Sequence, residues 1–299
     1  NKKYTSVDSL RYGSVLLFTD QDEDGSHIKG LLFNLFKTLW PSLFNLPGFL
    51  KSLNTPVVKA KSGKKTKEFY SVKDFEQWKQ ENQKGWTCKY YKGLGTSTPA
   101  ESRDYFRNMD KNIIIYTNDG DQDLKALDLA FSKTENSSDH RKEWLCSYDR
   151  NDTLDYNKKK ISMRDFVNKD LKHFSFSDNA RSIPNLVDGL KTSQRKVLFT
   201  ALLRNLSKEI RVAQFAGSVS ELSAYHHGEA SLYGTITNMA QDYVGSNNIN
   251  LFEPIGQFGS RLNGGKDAAQ PRYIHTKLSE ITKKIFNPQD TPLLDNRDD

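Results

Sequence analysis

Ser14-Val-Leu-Leu-Phe-Thr19 runs directly into Asp20-Gln-Asp-Glu-Asp-Gly25, and from His27 to Leu39 apolar residues recur at helical spacing until Pro41 stops them. The apolar run follows Gly13 and reads as a short buried strand. A strand, an acidic loop and a helix in succession open an α/β fold. Beyond them, strand-like runs are expected at Pro56–Ala60, Glu68–Val72, Thr87–Tyr91 and Asn112–Tyr116, with helices at Asp74–Gln80, Pro99–Asn108 and Gln122–Phe131. This alternation predicts a mostly parallel sheet with helices on its faces over residues 1–130.

The rest of the chain reads differently. Residues 131–178 are charged and include Asn136-Ser-Ser-Asp139 and Lys158-Lys-Lys160, which suggests a connector carrying a helix at Met163–Lys172. Residues 179–299 read as a mainly helical α+β domain, with helices expected at Asp188–Arg204, Glu229–Tyr243 and Lys277–Phe286 and a glycine-rich loop from Gly245 to Lys266. No repeat with a period of 20 to 50 residues stands out.

Composition excludes several classes. The chain has 299 residues, enough for about two domains. Its 17 Phe, 13 Tyr and 4 Trp suffice for packed cores and exclude a wholly disordered chain. The longest apolar candidate, Leu31–Trp40, is broken by Asn34 and Lys37, so no membrane span is expected. Cys88 and Cys146 form neither a disulfide framework nor a zinc motif, and a reducing compartment suits them. The net charge of +7 favours an acidic partner, nucleic acid first. That charge is concentrated: Lys158 to Arg211 holds thirteen Lys and Arg against five Asp and Glu. The chain starts at Asn1 without a signal-type segment and reads as part of something longer.

Asp20, Asp22 and Asp24 alternate, and on an extended chain they would share one face. Three hard oxygen donors suit Mg²⁺, which binds through a few carboxylates and retains water. An EF-hand is excluded because its twelfth position would be Leu31 rather than Glu. A metal-free acidic turn is the alternative, set against the mutual repulsion of the carboxylates. Tyr91-Lys92-Gly93-Leu94-Gly95-Thr96 could bring backbone N–H groups near a phosphate, with Lys92 as a point charge, or be a plain strand-to-helix turn.

Further along, Lys191 and Arg195 are four apart, as on one face of a helix, with Lys196 beside them and Leu190, Val197, Leu198 and Ala201 available for burial. This fits a DNA-facing helix and equally an ordinary amphipathic one. Ala224-Tyr225-His226-His227-Gly228-Glu229 places two histidines before a helix start, where they could donate to phosphate or serve as cap or core groups. Gly264-Gly265-Lys266-Asp267 leads to Arg272-Tyr273, a phenol with a guanidinium beside it. An activated phenol is a competent nucleophile, although most tyrosines are structural.

Taken in order, these motifs resemble the DNA breakage–reunion core of type IIA DNA topoisomerases, of the eukaryotic topoisomerase II type. The resemblance rests on Thr19–Gly30, Tyr90–Thr96, Arg181-Ser-Ile-Pro184, Ala224–Glu229, Val244–Asn248 and Gly264–Tyr273. It implies a Toprim domain over 1–130 and a winged-helix domain over 179–299. It further implies that Asp20, Asp22 and Asp24 hold Mg²⁺ in a two-metal site, with Mn²⁺ or Ca²⁺ as substitutes. Tyr273 would be the nucleophile, forming a 5′-phosphotyrosyl link, with Arg272 and His227 as its catalytic partners. Arg181, Lys191, Arg195, Lys196, His226, Lys92 and Lys266 would contact double-stranded DNA. The family works as a homodimer and hydrolyses ATP on a domain outside this sequence. Its upstream metal-binding Glu, in a Glu-Gly-Asp-Ser motif, also lies outside it. The setting would be the nucleus, or a virus factory or the cytoplasm for a large DNA virus. Another Toprim nuclease or primase would leave the Arg-Tyr pair unexplained, and a non-catalytic basic DNA-binding module would leave the aspartates unexplained.

Overall fold

A computed structural model describes residues 3–82, 84–91, 93–225 and 227–293. The chain divides into two compact units, Asn1–Asp178 and Asn179–Asp299.

The first unit contains, in order, β1 (Val15–Leu17), α1 (Glu23–Leu39), α2 (Pro41–Phe44), β2 (Leu50–Leu53), β3 (Val58–Ser62), β4 (Lys65–Phe69), α3 (Val72–Glu81) and β5 (Thr87–Tyr90). There follow α4 (Pro99–Arg107), α5 (Met109–Asn112), β6 (Ile113–Thr117), α6 (Asp121–Phe131), α7 (Ser137–Cys146), β7 (Lys160–Ser162) and α8 (Met163–Phe166). A π-helical turn, Val167–Leu171, then leads into α9 (Lys172–Ser182).

The expected mostly parallel sheet is corrected. One sheet has the order β1-β2-β6-β7, with β1–β2 and β6–β7 parallel and β2–β6 antiparallel. The other, β4-β3-β5, is wholly antiparallel. The reason is local. Only Gly63 and Lys64 separate β3 from β4, and Gly63 has φ +57°, so the chain reverses in a tight hairpin. A parallel return would need a crossover of a dozen or more residues.

The stretch expected to be a connector is folded into this unit. Ile161 on β7 and Trp144 on α7 are buried with Phe33, Leu50, Ile114, Leu127, Met163 and Phe166 in the main core. The Trp144 indole also donates to Asn168 Oδ1 at 2.9 Å. Charges on the outside of these elements hide the few apolar residues that anchor them. A smaller core of Val58, Ala60, Phe69 and Phe75 lies under the antiparallel sheet, with Trp78 and Trp86 packed against it.

In α1 the buried positions Ser26, Lys29, Gly30 and Phe33 follow helical spacing. Asp22 starts the helix as its N-cap, its Oδ1 accepting from Gly25 N at 2.7 Å. The helix therefore begins at Glu23 and not at His27.

The second unit holds α10 (Thr192–Leu203), β8 (Ile210–Arg211), α11 (Val212–Leu222), α12 (Glu229–Ala240), β9 (Phe252–Ile255), β10 (His275–Leu278) and α13 (Glu280–Ile285). Its sheet, β8-β10-β9, is antiparallel. Val197, Leu198 and Ala201 of α10, Val212, Phe215 and Val219 of α11, Leu232 and Ile236 of α12 and Phe252 of β9 form one core. The helix expected from Asp188 starts at Thr192: Gly189 has φ +69°, and the Asp188 carboxylate accepts from Leu190 N at 2.9 Å to make a turn first.

Candidate functional site

In the first unit, the acidic loop meets the glycine loop. Asp20 follows β1 and is half-buried, and its Oδ1 accepts from Leu94 N at 2.6 Å. Gly93 is what permits this approach. A Cβ there would lie 3.0 to 3.2 Å from the Asp20 carboxyl atoms. Gly25 is needed for a similar reason, since its Cβ would sit 2.0 Å from the Asp20 carbonyl oxygen.

The three aspartates do not share the face of an extended strand. Asp22 is turned into the cap of α1, and Asp24 lies in the first helical turn. Among the described residues, no three His, Cys, Asp or Glu side chains converge as a ready metal cage. The donor set still suits Mg²⁺, which is commonly held by one or two carboxylates with water completing its octahedron. The carboxylates also stand at a helix N-terminus, whose dipole moderates their repulsion.

The glycine loop is pinned at both ends by one carboxylate that sequence reasoning did not single out. Glu101, on the first turn of α4, accepts from Lys89 Nζ at 2.8 Å, Tyr91 Oη at 2.5 Å, Thr98 N at 2.8 Å and Thr98 Oγ1 at 3.0 Å. Partial burial opposes ionisation of Glu101, and the hydrogen bonds from Lys89, Tyr91 and Thr98 outweigh it, holding the group at about 2. The signal was present in sequence as Thr98-x-x-Glu101, a capping box.

A second unforeseen group lies under α1. Lys29 is almost wholly buried and pairs with Asp170 at 3.5 Å, while Ser26 Oγ donates to the other oxygen of Asp170 at 2.7 Å. Burial pushes the Lys29 ammonium down, and the fields of Tyr116 and Asp170 outweigh it, so its pKa is raised. Burial pushes the nearby Tyr156 phenol well above its ordinary value, with Asp170 adding to the effect. This network fastens α1 to the π-helical turn.

In the second unit, Arg272 and Tyr273 occupy the turn before β10. Tyr273 is 66% exposed, and the Arg272 guanidinium lies 5.0 Å from its ring centroid. The turn is held at its base: Tyr273 N donates to Gln270 O at 2.8 Å, Ala213 N to Pro271 O at 3.1 Å and Val212 N to Ile274 O at 3.0 Å. Buried Ile274 then fixes the start of β10.

His227 is exposed, and its ring meets the buried Tyr225 ring edge-on at 5.3 Å. Ala224, at the start of that loop, has φ +46°, and Lys196 Nζ donates to its carbonyl at 3.1 Å. Lys196 thus supports the histidine loop from α10. Arg195 makes a fork on Asp188, with Nε and Nη2 each 2.8 Å from a carboxylate oxygen. Its guanidinium orders the turn before α10. Lys191 is exposed and forms the N-cap of α10, where its carbonyl accepts from Arg195 N at 3.0 Å. Arg181 is half-buried at the end of α9, and Lys266 is exposed in the glycine-rich loop. In that loop Asp267 closes a turn by accepting from Ser260 N and Oγ at 2.8 and 2.7 Å. Lys92 and His226 lie outside the described residues.

Comparison with known proteins accounts for both units. Residues 53–179 match the family described as the C-terminal associated domain of TOPRIM, and residues 181–299 match the family of the DNA gyrase/topoisomerase IV A subunit. The chain is 53% identical over 300 residues to DNA topoisomerase 2 of Arabidopsis thaliana, covering 99% of this chain and 20% of that protein. It is 52% identical over 303 residues to human DNA topoisomerase 2-beta, covering 97% of this chain and 18% of the relative. The chain thus spans about a fifth of the length of these curated relatives. The crystal structure of the Plasmodium falciparum topoisomerase II DNA-binding, cleavage and re-ligation domain superimposes with a TM-score of 0.78 at 49% identity, covering 100% of this chain and 41% of that one. This likeness shows a topoisomerase II cleavage-core fold of mixed α/β content. The chain belongs to the type II DNA topoisomerases of eukaryotic type, and covers their Toprim-associated and gyrase A-like core region.

Proposed function

We propose that this chain is the cleavage and religation core of an ATP-dependent type II DNA topoisomerase, and that Tyr273 is its nucleophile. Residues 1–178 then comprise Toprim and its associated segment, and 179–299 the winged-helix domain. The observation that carries the reading is the exposed Tyr273 phenol on a braced turn, with the Arg272 guanidinium 5.0 Å from its ring. A nucleophile that must reach a backbone phosphate needs exposure, a fixed base and a cation beside it.

In the proposed step the Tyr273 Oη attacks a DNA phosphorus, an Oη–P bond forms and the P–O3′ bond breaks. The product is a 5′-phosphotyrosyl link, and the phenol proton is balanced by the one gained at the 3′-OH. Arg272 stabilises the equatorial oxygens of the phosphoryl group, and exposed His227 donates to one of them. Asp20, Asp22 and Asp24 would hold Mg²⁺, which when bound supplies electrostatic stabilisation to the leaving 3′ oxygen. Lys191, Lys266 and Arg181 contact the DNA backbone, while Arg195 and Lys196 act by holding the turns beside them. Religation reverses the step. The working unit is a homodimer on double-stranded DNA in the nucleus, with ATP hydrolysed on a domain outside this chain. No helix among the described residues is long and apolar enough to cross a membrane.

The test is covalent trapping, in the longer polypeptide that supplies the upstream Glu. With Mg²⁺ and a nicked duplex that cannot religate, a denaturing quench followed by peptide mapping should find nucleotide on Tyr273. Tyr273→Phe should abolish the adduct while leaving DNA affinity within about twofold, because the lost hydroxyl carries little binding. A metal-loaded dimer that binds this duplex and never forms the adduct would leave a nuclease or a binding module as the function.

A further inference from the structure

Glu101 takes part in no step of the chemistry above, yet its bonds lead to the acidic loop. Its carboxylate receives Tyr91 at one end of the glycine loop and Thr98 at the other. Lys89, on the strand entering the loop, adds an ion pair at 2.8 Å. Between these anchors Leu94–Thr96 forms a single 3₁₀ turn, in which Thr96 N and Oγ1 donate to Gly93 O at 3.1 and 2.6 Å. The loop also hangs on the sheet through Tyr91 N, which donates to Val57 O at 2.9 Å. Among the described residues, the loop reaches the acidic loop through the 2.6 Å contact from Leu94 N to Asp20 Oδ1. That contact occupies one oxygen of Asp20, and with Gly93 packed against the carboxyl group it restricts how the carboxylate can turn and hence where the other oxygen points.

We propose that Glu101 is a positioning residue: by clamping both ends of the loop it holds the Leu94 N–H against Asp20 and thereby presents the second Asp20 oxygen to a divalent cation. The inference rests on the reading of Asp20 as a metal ligand. The glycine loop then orients a carboxylate, rather than cradling a phosphate with its own N–H groups. Outer partners that orient a metal ligand commonly change metal affinity by about 10- to 100-fold when removed. Since Glu101 stays ionised down to about 2, the clamp is closed throughout the working pH range.

Two measurements test this on the metal-free and Mn²⁺-titrated protein. Residue-resolved hydrogen exchange reports the Leu94 amide without any metal. Electron paramagnetic resonance reports Mn²⁺ affinity without any turnover. Glu101→Ala should speed exchange at Leu94 roughly tenfold and weaken Mn²⁺ binding by about tenfold, with unfolding of the unit hardly shifted. Glu101→Gln keeps acceptors for Thr98 and Lys89 and should fall between the two. Gly93→Ala, whose φ of −174° any residue tolerates, should weaken Mn²⁺ binding by pressing its Cβ on the Asp20 carboxyl. Asp20→Asn should lose most Mn²⁺ binding. Unchanged Leu94 exchange and Mn²⁺ affinity in Glu101→Ala, with binding still lost in Asp20→Asn, overturn the positioning role alone. Equal Mn²⁺ binding by the wild type and Asp20→Asn overturns the metal reading beneath it.

Discussion

Lys29 and Asp170 offer a quantitative test of how α1 is held. Their side chains are 3% and 11% exposed, and the charged atoms are 3.5 Å apart. At an effective dielectric of 20 the gross attraction at that distance is about 5 kcal/mol. Burial of two charges offsets most of it, so the pair adds little net stability relative to apolar replacements. Removing one partner is a different matter, because the other charge stays buried. Lys29→Met leaves Asp170 with only hydroxyl partners, and Asp170→Asn leaves a buried ammonium facing an amide. Each should cost about 3–5 kcal/mol. The double variant Lys29→Met/Asp170→Leu should cost no more than either single one, giving a coupling energy of several kcal/mol. The assay is tryptophan fluorescence during urea unfolding. All 4 tryptophans, Trp40, Trp78, Trp86 and Trp144, lie in the first unit, so the signal reports that unit alone. Single variants that each cost under about 1 kcal/mol, or costs that simply add, would refute the argument that the two charges depend on each other.

Further outcomes follow from the same region. Gly25→Ala would put a Cβ 2.0 Å from the Asp20 carbonyl, so the loop or the first turn of α1 must move; a loss of more than about 2 kcal/mol in the same fluorescence assay is expected. Alkaline unfolding should be steep. Tyr156 is raised above its ordinary value of 10.0 and Lys29 above 10.5, so both hold their protons more tightly in the folded state. Their stabilisation is complete below those ordinary values and is lost as pH climbs past them towards the folded-state values, so the urea midpoint should drop from about pH 10 upwards. Tyr156→Phe should flatten part of that slope.

The strand, acidic loop and helix at the start of the chain were legible because three signals agree there: an apolar run, a change of periodicity and a proline stop. The antiparallel hairpin of β3 and β4 was less so, since its turn is only Gly63-Lys64 and its strands are rich in lysine. Residues 131–178 misled for a clearer reason. Their charge is real, but before the expected helix at Met163 the anchors Trp144, Leu154 and Ile161 come at wide intervals with no periodic pattern. By contrast α11, which is not among the expected helices, carries Val212, Phe215, Ala216 and Val219 buried at helical spacing. The candidate side chains were singled out by their motifs in the sequence, whereas the groups that hold them in place were not. The bonds of Glu101, Lys196 and Arg195 depend on loop closure, and no spacing rule announces that Arg195 will turn back to Asp188.

The alternation of aspartates acquires a different physical meaning in the folded chain. An extended segment would place three carboxylates on one face and leave their repulsion unrelieved. Here the same spacing assigns them separate partners. Asp22 is the N-cap, and the glycine three residues later supplies the N–H that it accepts. Asp20 lies before the cap and takes the Leu94 amide. Asp24 falls within the first turn, where the partial positive charge of α1 favours an anion. The negative charges can therefore stand close together, because backbone N–H groups from one helix and one loop stabilise them. Gly25 and Gly93 are what allow those N–H groups to come so close, and their spacing relative to Asp20 is as much a part of the motif as the carboxylates.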